Sequence, residues 1–372
     1  MRWSTNMGTR RTSLGSDSGR IQLALNKAKL LSIVASDPKR KSYLRIFFEN
    51  VAWMIREREL PQHYFSLLLY RKGNDPSHFI GRKRCWKIRR QYFYRGIEHS
   101  LSYLENKHLF WVHLKSTDIP IIDLAAHSTQ NAIFDTRKAE IYKLCRPADI
   151  TASLQAIGTA HGTDDLFAKP VFGLQGNACI LFRQGVPVNQ SMEAVYALLR
   201  RYPYIIQPRI DQVPALEAVN TSSVNTIRLN VFSEKGQPPR ILTPFAKFGA
   251  GGAVVDNAGS GGLILPLNLQ TGRASGPAFR FLKQGGATYS RHPDTQYPFD
   301  DFEVPQFAEA CSVALRASEF FPHRFIGWDV AITSNGPVIV EGNSGPNLDC
   351  IQTLEGGFRN HPQYSKIFER FI

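Results

Sequence analysis

Phe325-Ile-Gly-Trp-Asp-Val-Ala-Ile-Thr-Ser-Asn-Gly-Pro-Val-Ile-Val-Glu-Gly-Asn343 reads as two strands joined by a tight turn. Side chains alternate along a strand, so Glu341 and Asn343 point one way, and Val338 and Val340 the other. On the first strand Asp329 faces away from Val330 and Ile332. A three-residue loop over Ser334–Gly336 pairs Thr333 with Pro337 and brings Asp329 opposite Glu341. A two-residue Asn-Gly loop sets Asp329 across from Gly342 instead. In the first register two carboxylates and an amide oxygen enter one small volume between apolar strands. That is costly unless they hold a cation. Mg²⁺ suits them, because it prefers oxygen and fills its remaining positions with water and phosphate oxygens. The occupant expected here is Mg²⁺ carrying a nucleotide. The plain alternative is a hairpin with a wet polar face.

Moving upstream, Lys169 ends a short apolar strand and precedes Pro170-Val-Phe-Gly-Leu-Gln-Gly-Asn177. Gly173 and Gly176 would let backbone amides approach a phosphate, with Lys169 as a point charge beside it. The Walker order is absent. A second loop, Phe248-Gly-Ala-Gly-Gly-Ala-Val-Val-Asp-Asn-Ala-Gly-Ser-Gly-Gly262, holds six glycines after Phe248 and before Gly262's neighbour Leu263, together with Asp256 and Asn257. Ordering so many glycines is entropically expensive for a passive linker. Lys247 lies on the strand before it. Arg228 lies mid-strand among apolar residues and needs a partner if buried. His161, His292, His323 and His361 are isolated, and no Gly-x-Ser-x-Gly elbow occurs, so a nucleophilic triad is not expected. Each histidine reads as a surface or structural group. Neither Cys179 nor Cys350 has a case for reactivity, and Glu105 and Asp211 are bases only by guesswork.

Further out, the chain is too long for one small core. The five cysteines are scattered with no Cys-x-x-Cys pair, which argues against a disulfide framework or a zinc site and for a reducing cytosol. No apolar stretch is long enough to span a bilayer, and the N-terminus lacks an apolar signal core. The net charge of +14 is localised: residues 1–100 hold 21 Lys or Arg against 7 Asp or Glu, and residues 101–372 hold 24 against 24. The densest part is Arg82-Lys-Arg-Cys-Trp-Lys-Ile-Arg-Arg90, which would suit a polyanion or an anionic membrane surface, or be a solvated helix face. No motif for specific nucleic-acid recognition accompanies it. Residues 1–20 read as a loose arm, 22–62 as helix interrupted at Pro38 and ended by Pro61, and 79–96 as a further basic, aromatic helical stretch. Beyond residue 97 come alternating elements. Leu104–Lys107 opens a helix. Strands are expected at Ile119–Ile122, Leu166–Val171, Tyr204–Ile210, Asn225–Phe232 and Thr243–Phe248, and a helix within Phe302–Phe321. The class is α+β.

Taken together and in order, Phe167–Gly176, Ile206–Arg209, Ser223–Arg228, Val255–Gly262, Phe325–Ile332 and Val340–Asn343 resemble the ATP-grasp superfamily. The nearest likeness is to its sugar-transfer associated branch, related to the RimK-type carboxylate–amine ligases. It covers roughly 97–355. The resemblance implies an ATP cleft between two α+β subdomains. It divides the chain into a basic, mostly helical region (1–96), a first subdomain (97–160), a nucleotide lid (161–210) and a catalytic, Mg-binding subdomain (211–372). Lys107 and Lys169 would contact phosphates, assisted by Gly173 and Gly176. Gln207, Pro208, Arg209 and Ile210 would form the adenine hinge. Arg228, Lys169, Asn257 and Lys247 would be catalytic, and Asp329, Glu341 and Asn343 would hold Mg²⁺. Relatives often carry Gly-x-x-Gly-Lys-Gly where this chain has Gly173-Leu-Gln-Gly-Asn-Ala178, so one phosphate-side lysine is missing.

The implied reaction is ATP-dependent amide formation through an acyl phosphate, with ATP and Mg²⁺ as cofactors. The partners would be a small or polymer-attached carboxylate and an amine, in polysaccharide or natural-product biosynthesis. A kinase on the same scaffold, or a non-catalytic nucleotide binder, is the alternative. The expected location is cytoplasmic, with peripheral membrane contact through residues 82–90 as a further option. The oligomeric state stays open.

Overall fold

The computed structural model describes residues 30–173, 178–188 and 190–372. The arm expected over 1–20, the first part of the helical stretch from 22, and Gly176 lie outside the described residues.

Helix α1 (Tyr43–Glu57) starts where the Ser42 hydroxyl accepts from the Arg45 amide, and stops at Arg58, which is left-handed. Its inner residues Ile46 and Trp53 share a core with Tyr64, Leu67, Leu69, Tyr70 and Phe79, closed by Leu282 from far along the chain. Helix α2 (Arg82–Ile88) continues into a wider turn over Arg89–Phe93. Its Cys85 and Ile88, with Phe93, pack on Phe232, Phe325, Leu348, Phe358 and Phe368. Short helices cannot close a core alone, so the N-terminal region is docked onto the C-terminal elements. Helix α3 (Lys107–Leu114) is capped by Asn106, whose side-chain oxygen accepts from the His108 and Leu109 amides at 3.0 Å each. Its first residue is Lys107, tied to the neighbouring loop by its amide to Val171 O at 3.0 Å.

The first sheet contains β1 (Ala126–Ser128), β2 (Ala132–Asp135), β3 (Ile141–Lys143), β4 (Asp165–Pro170), β5 (Ile180–Arg183), β6 (Val186–Pro187) and β7 (Tyr204–Pro208). Their order is β3-β2-β1-β7-β4-β5-β6. Helices α4 (Ala148–His161) and α5 (Met192–Arg201) put Ile150, Leu154, Ile157, Val195 and Leu199 against it. Because α4 connects β3 to β4 within this one sheet, the boundary expected at residue 160 falls inside a single folding unit. The strand expected at Ile119–Ile122 shrinks to one bridge between Ile121 and Ile339. Pro120 has no N–H to extend it.

The second sheet contains β8 (Thr226–Phe232), β9 (Arg240–Phe248), β10 (Leu263–Pro266), β11 (Ala278–Phe279), β12 (Thr288–Tyr289), β13 (Phe325–Thr333) and β14 (Gly336–Asn343), ordered β12-β11-β10-β9-β8-β13-β14. One face packs Ile227, Leu229, Val231, Trp328, Val330 and Ile332 against helix α6 (Phe307–Glu319). The opposite face carries the polar residues of the site. Alternation over adjacent strands therefore does two jobs at once.

The hairpin corrects the expected turn. Thr333 pairs with Gly336, so the loop is Ser334-Asn335, one position earlier than the Asn-Gly option and one residue shorter than the three-residue option. A bulge then intervenes: Val330 faces Ile339 while Asp329 faces Glu341, leaving Val340 as the extra residue. The expected pairing of Asp329 with Glu341 is thus reached by a different route.

Candidate active site

A cleft of about 850 Å³ separates the two sheets. That is within the range of roughly 300–1,000 Å³ usual for small-molecule sites. Lys107, Lys169, Gly173, Gln207, Pro208, Arg209, Ile210, Arg228, Lys247, Asn257, Asp329, Glu341 and Asn343 all line it. Every described residue expected at the site is therefore brought together. Gly176 lies outside the described residues.

The centre is built by strand register. Arg228 on β8 sits opposite Asp329 on β13, and Thr226 sits opposite Lys247 on β9. Arg228 Nε donates to Asp329 Oδ1 at 2.6 Å and Nη2 to Oδ2 at 2.8 Å. Lys247 Nζ lies 3.1 Å from Asp329 Oδ2 and 3.5 Å from Asp256 Oδ1. A Cβ on Gly327 would lie 3.1 Å from Arg228 Cδ and Nη1, so the missing side chain opens the space in which the guanidinium lies. Burial alone would raise the Asp329 pKa, but Arg228 and Lys247 outweigh it and hold the carboxyl well below the usual range. Burial lowers the Arg228 pKa, and Asp329 more than restores it.

Asp256 behaves differently. Burial raises its pKa despite Lys247, and the neighbouring Asp329 adds to the rise. Lys247 is closer to Asp329 than to Asp256, so it favours the former. The Asp256 carboxylate is also fixed by the Thr226 amide at 3.0 Å and by the Thr226 hydroxyl. Beyond Asp256, Asn257 Oδ1 accepts from the Gly259 amide at 2.9 Å and starts a single turn over Ala258–Ser260. The glycine-rich loop thus presents Asp256, Asn257 and Gly259 to the cleft.

Lys169 is only 8% exposed, and no carboxylate approaches its ammonium within ion-pair distance among the described residues. Burial lowers its pKa, opposed by the field of Glu341 and helped by that of Lys107. A buried cation on a cleft wall without an anion partner is incomplete as a structural group. Gln207 on β7 donates to Ile122 O at 3.3 Å, while its own carbonyl is buried without a partner among the described residues. Arg209 is held by Asp165 and by Thr221 O, both at 3.5 Å. Cys179 lines the same wall, its thiol pushed up to about 11 by burial, which argues against a nucleophile.

The oxygen donors decide the fit to Mg²⁺. Among the described residues no group of three or more His, Cys, Asp and Glu is arranged to hold a metal. The expected set has only two carboxylates plus an amide, which is enough for Mg²⁺ when phosphates supply other ligands. Glu341 has no cation partner among the described residues, and Asn343 Nδ2 lies 3.4 Å from both Glu341 Oε1 and Asp329 Oδ2. A half-turn of that amide presents its oxygen in place of its nitrogen. The set fits, although Asp329 is already committed to two cations.

Residues 169–361 match the family of sugar-transfer associated ATP-grasp proteins. The chain belongs to this family. The α+β ATP-grasp fold is accordingly that of the two sheets described above. Among solved structures it is similar to the D-cycloserine synthetase DcsG, at 12% identity over 74% of this chain and 72% of that one, with a TM-score of 0.40. It is similar to the ATP-grasp ligase PsnB bound to a minimal precursor, Mg and ADP, at 10% identity over 73% of this chain, with a TM-score of 0.37. This chain spans 59% of the PsnB length. A third likeness is to carboxyaminoimidazole ribonucleotide synthase from Aspergillus clavatus complexed with ATP, at 10% identity, 70% and 52% coverage and a TM-score of 0.41. No curated protein matches.

This ATP-grasp chain also brings unexpected residues to its cleft. Arg89, from the basic stretch read as a surface patch, lines the cleft and donates to Pro346 O at 2.7 Å. Tyr94 stands beside it. Helical spacing was the available signal, since Cys85, Ile88 and Arg89 fall on the inner side of α2 and its continuation while Arg82, Lys83, Lys87 and Arg90 stay exposed. Glu105 also lines the cleft, where it accepts from the Ser344 hydroxyl at 3.1 Å.

Proposed function

We propose that this chain is an ATP- and Mg²⁺-dependent carboxylate–amine ligase that forms an amide through an acyl phosphate. The observation that carries the reading is Lys169, a buried ammonium without an anion among the described residues, facing the same cleft as Lys107, Arg228, Lys247 and the carboxylate of Glu341. A polyphosphate would complete this group of charges. Gln207–Ile210 at the end of β7 would border the adenine. Lys107 and Lys169 would offset charge on the phosphates, and Arg228 would meet the phosphoryl group in transit. Glu341, Asn343 and Asp329 would hold Mg²⁺. When bound, that ion neutralises phosphate oxygens and fixes their orientation.

A substrate carboxylate oxygen attacks the γ-phosphorus and ADP leaves. The amine nitrogen then attacks the acyl carbon, loses a proton, and expels phosphate with one former carboxylate oxygen. Lys247 and Asn257 border the position where the acyl group would sit. The glycine-rich loop is suited to exclude water while the acyl phosphate survives. No protein nucleophile is needed, in keeping with the raised Cys179 and Cys350 pKa values.

Calorimetry with MgATP tests the nucleotide site, and absence of binding by the folded protein removes the reading. Pairs of acids and amines are then screened for ADP release that needs both. With an ¹⁸O-labelled carboxylate, one label should appear in inorganic phosphate. A stable phosphorylated product formed with ADP and without release of inorganic phosphate would establish a kinase instead.

A further inference from the structure

Helix α1 is apolar on two opposite sides. At about 100° per residue, Ile46 and Trp53 fall on the inner side, while Leu44, Phe47, Phe48, Val51 and Ile55 form a continuous outer stripe. That outer stripe is bare: Leu44 is 73% exposed, Phe47 61%, Phe48 67% and Ile55 74%. A soluble surface does not ordinarily keep four such residues together. Phe47 and Phe48 touch edge to face and are each mostly exposed.

The region that carries this stripe is strongly basic. Described residues 30–96 contain fifteen Lys or Arg against five Asp or Glu, an excess of ten positive charges. The five acids are all occupied internally. Asp37 pairs with Arg71, and Glu49 with Lys41 and Arg45. Glu57 is buried among Arg56, Arg84 and Arg359. Glu59 accepts from the Arg82 and Lys83 amides, and Asp75 from the Ser77 amide. Glu59 thereby fastens the start of α2 to the end of α1. On α2, Trp86 is 56% exposed, with the Arg90 guanidinium 5.1 Å from its ring centre and Lys83 and Lys87 exposed nearby in sequence.

We propose that α1 and α2 form a docking surface for an anionic lipid bilayer. Exposed Phe, Leu and Ile would enter the headgroup–acyl boundary, Trp86 would sit at headgroup level, and the unpaired Lys and Arg would meet lipid phosphates. The apolar stripe has no use for a nucleic acid, and the positive excess disfavours a second copy of the same face. The surface is formed by helices remote in sequence from the cleft strands, so its test does not depend on turnover.

The full chain is co-sedimented with vesicles of phosphatidylcholine alone and of phosphatidylcholine mixed with phosphatidylglycerol. Partition should favour the anionic vesicles by about tenfold or more and weaken with salt. Phe47→Ser with Phe48→Ser should reduce it by about tenfold, with unchanged circular dichroism because both rings are exposed. Arg82→Glu with Lys87→Glu, both exposed, should abolish the preference for anionic vesicles while leaving the apolar stripe intact. Absence of partition, equal partition into neutral vesicles, or full binding by both double variants overturns the proposal. So does a wild-type dimer that becomes monomeric in the phenylalanine variant, or RNA binding without vesicle binding.

Discussion

Lys169 and Asp329 sit a short way apart in the cleft and have opposite effects on the folded state. Lys169 is desolvated without a counter-ion among the described residues, so its charge is a cost borne by the empty protein. Lys169→Met should stabilise that protein by about 1–2 kcal/mol, as replacement of poorly compensated buried charge often does. The same variant should lose the extra stability that MgATP would give the wild type under the proposed function. Denaturant titration with and without nucleotide reads both effects; a destabilised empty variant would show that Lys169 has an internal partner. Asp329 is the reverse case, since it holds two cations at once. Asp329→Asn should cost about 3 kcal/mol in the absence of any ligand, because it leaves Arg228 and Lys247 under-compensated. Its depressed pKa means that its contribution is present above the unfolded value near 3.8 and is lost as pH falls below it. His323 acts in a higher window. It is buried, and both ring nitrogens lack partners among the described residues. Burial lowers its pKa from 6.5 to about 4. The unfolded chain therefore binds the proton first, and stability falls as pH drops from about 6.5 to about 4. His323→Phe should flatten that slope by on the order of 2 kcal/mol after allowance for screening. Parallel pH profiles for the two proteins would exclude His323 as the source.

At the scale of the element, the β13–β14 hairpin shows what periodicity can and cannot say. Alternation placed Arg228, Asp329 and Glu341 on a common polar face, because burying one face of a strand fixes the other. The turn was misread, since Asn-Gly is a strong turn signal and Ser-Asn a weaker one. The bulge at Val340 was invisible, because a strand of Val and Ile looks the same with one residue added. The short strands β1 to β3 were missed for a related reason: three or four residues are too few to show a period. Arg89 escaped, and Glu105 was open only to a guess, because their places depend on how distant helices dock, not on neighbours in sequence. Gly342 is where that docking meets the hairpin. A Cβ there would lie 2.7 Å from Leu104 and 2.8 Å from Trp328, both buried. Gly342→Ala should therefore cost about 1–3 kcal/mol and displace the adjoining Glu341. Thermal unfolding combined with Mg²⁺ titration in the presence of ATP checks this; unchanged melting would mean that Leu104 yields freely.

Over the whole molecule, the two sheets have separate cores. The first sheet closes on α4 and α5 around Ile133, Ile157, Phe182 and Ile206, while the second closes on α6 around Leu229, Trp328 and Val330. Direct ties between the units include the Lys107 amide to Val171 O, the bond from Arg209 to Thr221 O, and the bridge of Asn106 to Phe172. A nucleotide in the cleft would add a much larger tie, touching Lys169 and Gln207 on one sheet and Arg228 and Glu341 on the other. Its binding energy would then fall on the joint between the cores more than on either core alone. At a hundredfold excess over the dissociation constant it supplies about 2.7 kcal/mol. That is comparable to a few hydrogen bonds of the kind now bridging the sheets. The empty protein should therefore melt in two calorimetric steps, the smaller first-sheet unit preceding the rest. Saturating MgATP should merge them into one transition at higher temperature. Lys169→Met should keep two steps even with nucleotide present, because the charged contact from the first sheet is gone and only the end of β7 still reaches the nucleotide. A single two-state transition in the empty protein would mean that the N-terminal helices and the hairpin already bind the cores into one cooperative unit.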